Sequence, residues 1–273
     1  MRRAQDIERF VSDNLNELIE HRRWFHAHPE ISFQELGTSA YIQSYLKGLR
    51  AGNFRSVAKT GIVFELGEHG PTHAARFNMD GLPIGEKTGL SFSSSHDGSS
   101  HSCGHDFELA WGLMVAKYFV SNPVSGCLRL IFQPAEEGPG SEPHGKTGGQ
   151  LLHELDEFKA ESIMSLHVEP DLPLGMVSIA EGEVTCSAYD FEYVLKGKTS
   201  HAAKPQHGIN PVPVAADLTH ALVDLEFRLR AQVASEEDLF SSRCQTSQHS
   251  FVPVRRAMRQ ASIPSQSWPS CAE

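Results

Sequence analysis

The chain has 273 residues, 40% of them apolar and 21% charged, with a formal charge of −10. That apolar fraction supports one large domain or somewhat more and excludes a disordered polymer. The acidic balance disfavours nonspecific nucleic-acid binding, and no run of 18 apolar residues is present to span a membrane.

In chain order, Ile7, Phe10, Val11, Leu15, Leu18, Ile19 and Phe25 recur at helical spacing. They predict an amphipathic helix over 6–28, ended by His28-Pro29. A second helix is predicted over 37–49, capped by Thr38 or Ser39, with Tyr41, Ile42, Tyr45, Leu46 and Leu49 on one face. Residues 61–66 and 73–79 read as strands, 109–120 as a mostly buried helix and 127–132 as a strand. A helix over 148–159 and a strand over 161–168 follow. Strands alternating with helices imply an α/β sheet with helices on its faces.

The texture changes after Gly182. Residues 188–196 alternate polar and apolar, as a strand with one solvated face does, and a helix is predicted over 211–229. A second domain is expected from residue 186. All 22 glycines fall in the first 208 residues, and 241–273 holds eight serines, four glutamines, four arginines and one acid. That tail is expected to be disordered. The N-terminus, Met-Arg-Arg-Ala-Gln-Asp-Ile-Glu, lacks an apolar signal segment. Cysteines 103, 127, 186, 244 and 271 are odd in number and widely spaced, which argues against a disulfide framework. Both features point to the cytoplasm.

Three clusters could carry chemistry. In His101-Ser-Cys-Gly-His105-Asp106, Cys103 and His105 are two apart on a turn that Gly104 permits, so both can reach one metal ion. Asp106 could orient an imidazole. A polar loop with an incidental thiol is the competing reading. In Gln133-Pro-Ala-Glu136-Glu137-Gly138, consecutive acids follow an apolar strand. One could bind metal while the other takes a proton from water; the alternative is a solvated acidic turn. His167 ends the 161–168 strand, where a lone histidine is more often structural. Together, a thiol, two imidazoles and a carboxylate at strand ends make a two-metal site plausible.

At these residues the sequence resembles the zinc-dependent amidohydrolase and carboxypeptidase family of aminoacylases, hippurate hydrolases, N-acetyl-diaminopimelate deacetylases and auxin-conjugate hydrolases. The matching stretches are His21–Glu35, Asn78–Glu86, His101–Asp106, Gln133–Gly138 and Gly197–Pro205, in the family's order. The resemblance implies a metallopeptidase-like α/β catalytic domain over 1–185, with helices on both faces of a mixed sheet. The start of an inserted α+β dimerisation domain would occupy 186–240. It implies two divalent metal ions, zinc or manganese first, cobalt or nickel also admitted. Cys103 would bridge them, His105 and Glu137 would complete one, and His167 would bind the other. Glu136 would be the general base, Asp80 would support the metal ligands from behind, and His201 would reach the substrate or a developing oxyanion. The expected partners are a small N-acyl amino acid or peptide-like substrate and a second copy of the chain, with no nucleic acid and no membrane.

The sequence departs from the family pattern at Asn78 and Asn210, where Asp is usual, and at Glu108, where His is usual. Nothing after about residue 230 resembles the family's return segment, and His249 lacks the surroundings of its last metal-binding histidine. A shifted reading frame, alternative splicing or a gene-model error would each give such a tail. Two functions therefore compete: metal-dependent hydrolysis of an N-acyl amide bond, and a truncated, inactive or regulatory relative acting through dimerisation.

Overall fold

The computed structural model describes residues 2–67, 69–138, 145–179 and 193–235. The chain divides into two units, Met1–Ser178 and Ile179–Glu273, and each is described by itself.

In the first unit, α1 (Arg2–Ala27) and α2 (Leu36–Gly48) precede β1 (Asn53–Val57), β2 (Gly61–Leu66) and β3 (Thr72–Asn78). Then come α3 (His105–Ser121), β4 (Cys127–Gln133), α4 (Gly148–Glu154) and β5 (Ser162–Ser165). The strands form one mixed sheet in the order β1-β2-β4-β3-β5. β1 and β2 are antiparallel, as are β2 and β4, while β4, β3 and β5 run parallel.

Alternation along the strands builds two cores. Ile62, Phe64, Ala75, Phe77, Leu128, Leu130 and Phe132 share one core with Phe25 of α1, Ile42 and Leu46 of α2, and Leu109 and Leu113 of α3. Val63, Ala74 and Ile131 turn the other way and pack with Val57 and with Leu152 of α4. The chain steps from β3 to β4 through α3, then back across β3 to β5 through α4. Right-handed crossovers in opposite directions put the two helices on opposite faces. α3 lies close to the sheet at Gly112, where a Cβ would come within 2.9 Å of Phe77 and Phe132.

Several elements differ from expectation. α3 starts at His105 rather than 109, because Gly104 in a left-handed conformation (φ +87°) turns the chain directly into the helix. Thr38 and Ser39 do not cap α2. They are buried within it, and the Glu30 carboxylate accepts the Gly37 and Thr38 N–H groups. α4 stops at Glu154, just before Asp156 takes φ +57°. β5 ends at Ser165, so His167 stands two residues past the strand. β1 was not predicted: Asn-Phe-Arg-Ser-Val has almost no apolar alternation.

In the second unit, Lys198 pairs with Ile209 in an isolated bridge, Pro205–His207 forms a short 3-10 turn, and α5 spans Pro211–Ser235. Residues 193–196 contain no strand, in contrast to the 188–196 prediction; 188–192 and the 241–273 tail lie outside the described residues.

Candidate metal centre

The parallel strands β3, β4 and β5 deliver their following residues to one end of the sheet, where ligands bind in open α/β sheets. Asp80 follows β3, Glu136 and Glu137 follow β4, and His167 follows β5. Cys103 and His105 flank Gly104 at the start of α3. A Cβ at residue 104 would fall 2.2 Å from Val168 Cγ2, so glycine is required by contact as well as by backbone angle. The two loops approach closely there, and Cys103 Sγ lies 3.2 Å from His167 Nε2.

Both imidazoles are oriented from behind. His105 Nδ1 donates to the Asp80 carbonyl (2.8 Å) and His167 Nδ1 to the Val168 carbonyl (2.7 Å). A carbonyl can only accept, so these bonds fix the ring hydrogens on Nδ1 and leave each Nε2 for the site. His105 Nε2 stands 3.7 Å from Glu136 Oε2 and 3.9 Å from Glu137 Oε1. His105 Nε2 and Glu137 Oε1 are buried without a hydrogen-bond partner among the described residues. The ligand atoms of Cys103, His105 and His167 lie within 4.8 Å of one another, as do those of His105, Glu136 and Glu137.

The electrostatics call for a cation. Burial pulls His105 down, but Asp80 and the Cys103 sulfur outweigh it and hold the imidazole up at about 11. Cys103 also raises His167, against burial, to about 9. Burial pushes the Glu137 carboxyl above its ordinary range, with Glu136 and Asp80 adding to the rise against the pull of Cys103 and His105. Burial would raise Asp80 too, but His105, Ser32 and the Glu137 N–H overcome it and keep that carboxylate low. Acids and a thiol that raise two imidazoles make a pocket that favours positive charge. Thiol, imidazole and carboxylate donors with unspent lone pairs fit zinc and its neighbours.

Of the predicted residues, Cys103, His105, Glu136, Glu137 and His167 converge, with Asp80 behind them. His201 lies in the second unit, exposed, its Nδ1 accepting the Ala203 N–H (3.1 Å). Asp106 does orient an imidazole, but that of His26 on α1 (2.8 Å), with Arg22 Nε on the same oxygen (2.9 Å). His101 is buried with neither ring nitrogen bonded among the described residues, and burial above all drops it to about 4. Glu108 is buried, and its Oε2 accepts the Asn78 N–H (2.9 Å). So a carboxyl group stands beside Asn78, and burial pushes it above its ordinary range against the pull of the Asn78 N–H and His105. Ser32, which donates to Asp80 Oδ2 (2.7 Å), and Glu35, which accepts the Ala135 N–H, were not foreseen.

A mixed sheet with this donor set at its end gives the molecule a metallopeptidase-like α/β fold. The chain belongs to the peptidase family M20/M25/M40, whose model matches residues 74–258. It is 37% identical over 215 residues to an N-acetyldiaminopimelate deacetylase of Bacillus cytotoxicus, covering 78% of this chain and 55% of that protein. The enzyme of the same name from Priestia megaterium is 38% identical, covering 74% and 53%. The chain thus spans about half the length of the curated relatives it matches. Among solved structures, the Bacillus subtilis YXEP protein, a dinuclear metal-binding peptidase of the M20 family, is 37% identical with a TM-score of 0.56, covering 62% of this chain and 47% of that one. A protein from methicillin-resistant Staphylococcus aureus, assigned as an aminohydrolase, superposes with a TM-score of 0.67 at 28% identity, covering 82% and 60%.

Proposed function

We propose that the protein hydrolyses the amide bond of small N-acyl amino acids with the help of two divalent metal ions. The observation that carries this reading is the pair of imidazoles whose Nδ1 hydrogens are spent on backbone carbonyls, while His167 Nε2 faces the Cys103 thiol and His105 Nε2 faces the Glu136 and Glu137 carboxylates. Cys103 would bridge the ions, with His105 and Glu137 on one and His167 on the other. Bound there, the ions would polarise the scissile carbonyl and acidify water. Glu136 takes the proton from the attacking water and passes it to the leaving amine. The division between the acids follows exposure: the Glu137 side chain is 19% exposed and that of Glu136 is 31%. The more open one suits a group that must meet water and substrate. His201 is assigned to substrate or a developing oxyanion on the family resemblance alone, and dimerisation through the 186–240 segment rests on the same ground.

The relatives' name makes N-acetyldiaminopimelate the first substrate to try, beside simple N-acetyl amino acids. Metal per folded chain is measured first, and about two ions are expected. Glu136→Gln should then keep its metal and lose about 100-fold or more in hydrolysis rate. An unchanged rate sinks the assignment of the base. A folded chain that binds no metal favours the inactive, dimerising relative.

A further inference from the structure

Three consecutive backbone N–H groups in the turn after β4 end on two buried carboxylates. Ala135 donates to Glu35 Oε1 (2.8 Å), Glu136 to Asp80 Oδ1 (3.1 Å) and Glu137 to Asp80 Oδ2 (3.0 Å). Asp80 follows the adjacent parallel strand, β3. Glu35 comes from 100 residues earlier, just ahead of α2, and is fully buried. Its other oxygen accepts the Thr60 hydroxyl (2.6 Å), so both oxygens are used.

Ala135 needs holding. It takes φ +47°, in the left-handed region that a residue with a Cβ disfavours. Its neighbours in the chain are Pro134, which has no N–H to donate, and Glu136. The backbone angles of Ala135 decide the direction in which the next two side chains leave the turn. An apolar residue would fill the space of Glu35 at less desolvation cost. What only an acceptor can do there is pin the Ala135 N–H.

We infer that Glu35 is a positioning residue: it locks Ala135 in its left-handed conformation and so aims Glu136 and Glu137 at His105. The inference rests on the proposed roles of that acid pair.

The test compares wild type with Glu35→Met, which keeps the volume but accepts no N–H, and Glu35→Gln, which keeps the acceptor. The metal-stripped 273-residue chain is titrated with Mn2+ by calorimetry, and amide exchange is followed at 135–137. Glu35→Met should stay folded with a lowered unfolding midpoint, because the Ala135 N–H and the Thr60 hydroxyl lose their acceptor, and it should lose amide protection at 135–137 and bind Mn2+ about 10- to 100-fold more weakly. Glu35→Gln should stay near wild type. Adding Ala135→Gly to Glu35→Met should restore part of the affinity, because glycine takes the left-handed conformation unaided. Neither a packing defect nor a lost charge would be repaired that way. Unchanged affinity and unchanged exchange in Glu35→Met overturn the inference. If wild type binds no Mn2+, the metal reading fails, and exchange at 135–137 alone decides the lock: lost protection in Glu35→Met supports it, retained protection overturns it.

Discussion

His105 and Asp106 are neighbours on the first turn of α3, yet they serve two clusters of opposite character. On the His26 side, every charged group finds a partner. Asp106 holds Arg22 and His26, and His26 Nε2 reaches Glu86 Oε1 at 3.2 Å. Glu86 in turn accepts the Thr88 hydroxyl and the Ser94 N–H, which ties residues 86–94 to α1. On the His105 side, the backs of the groups are bonded, but at the front Glu137 Oε1 and His105 Nε2 are buried without partners among the described residues. Both clusters are rich in histidine and acid. What separates a strut from a binding site is where the lone pairs are left over.

That contrast can be broken at either end. The largest effect should come from Cys103→Ser, which is expected to weaken Mn2+ or Zn2+ binding by more than about 100-fold while barely changing the stability of the metal-free protein. Unchanged affinity would mean that the unspent lone pairs are a packing flaw. His26→Ala should do the reverse. It strips one of two side-chain partners from a buried carboxylate, and denaturant unfolding should show a loss of about 2 kcal/mol with metal affinity intact. Loss of metal in that variant would merge the two clusters into one.

The pH response sharpens the same division. Burial would raise Glu86, but Thr88, Ser94 and His26 more than offset it and bring it down to about 2. A carboxylate lowered by folding contributes stability above its ordinary range and loses it as pH falls towards the folded value. Thermal midpoints of wild type should therefore exceed those of Glu86→Gln at pH 6 and converge with them on acidification towards pH 2. A constant gap would mean that the charge of Glu86 is irrelevant to the strut. Smallest of all should be Arg22→Gln. The Arg22 side chain is 40% exposed, and its removal should cost about 0.5 kcal/mol in the same unfolding assay.

Much of this was legible in the sequence because it is written locally. The periodicity of 6–28, the apolar runs of β2 and β4, and the short motifs around Cys103 and Glu136 each lie within one stretch of chain. β1 escaped because an edge strand faces solvent and needs little apolar alternation. The turn after it hides too: Ala58 and Lys59 take φ +42° and +72° without the glycine or asparagine that announces such a turn. The Glu30 cap of α2 and the Ser32 and Glu35 contacts join residues that are between 7 and 100 positions apart, which no local pattern records. Asp106 shows the intermediate case. Its type and position announced an imidazole partner, but only the packing of α1 on α3 could say whose.

Gly104 has a consequence for how such a chain can change over generations. Its backbone angle and its contact with Val168 are separate obstacles, and a smaller residue at 168 removes only the second. A path that changes Gly104 first must therefore cross a variant in which the Cys103 and His167 loops have parted. The position is closed from one side and conditionally open from the other, so the order in which two neutral-looking changes arrive decides whether the lineage keeps its site.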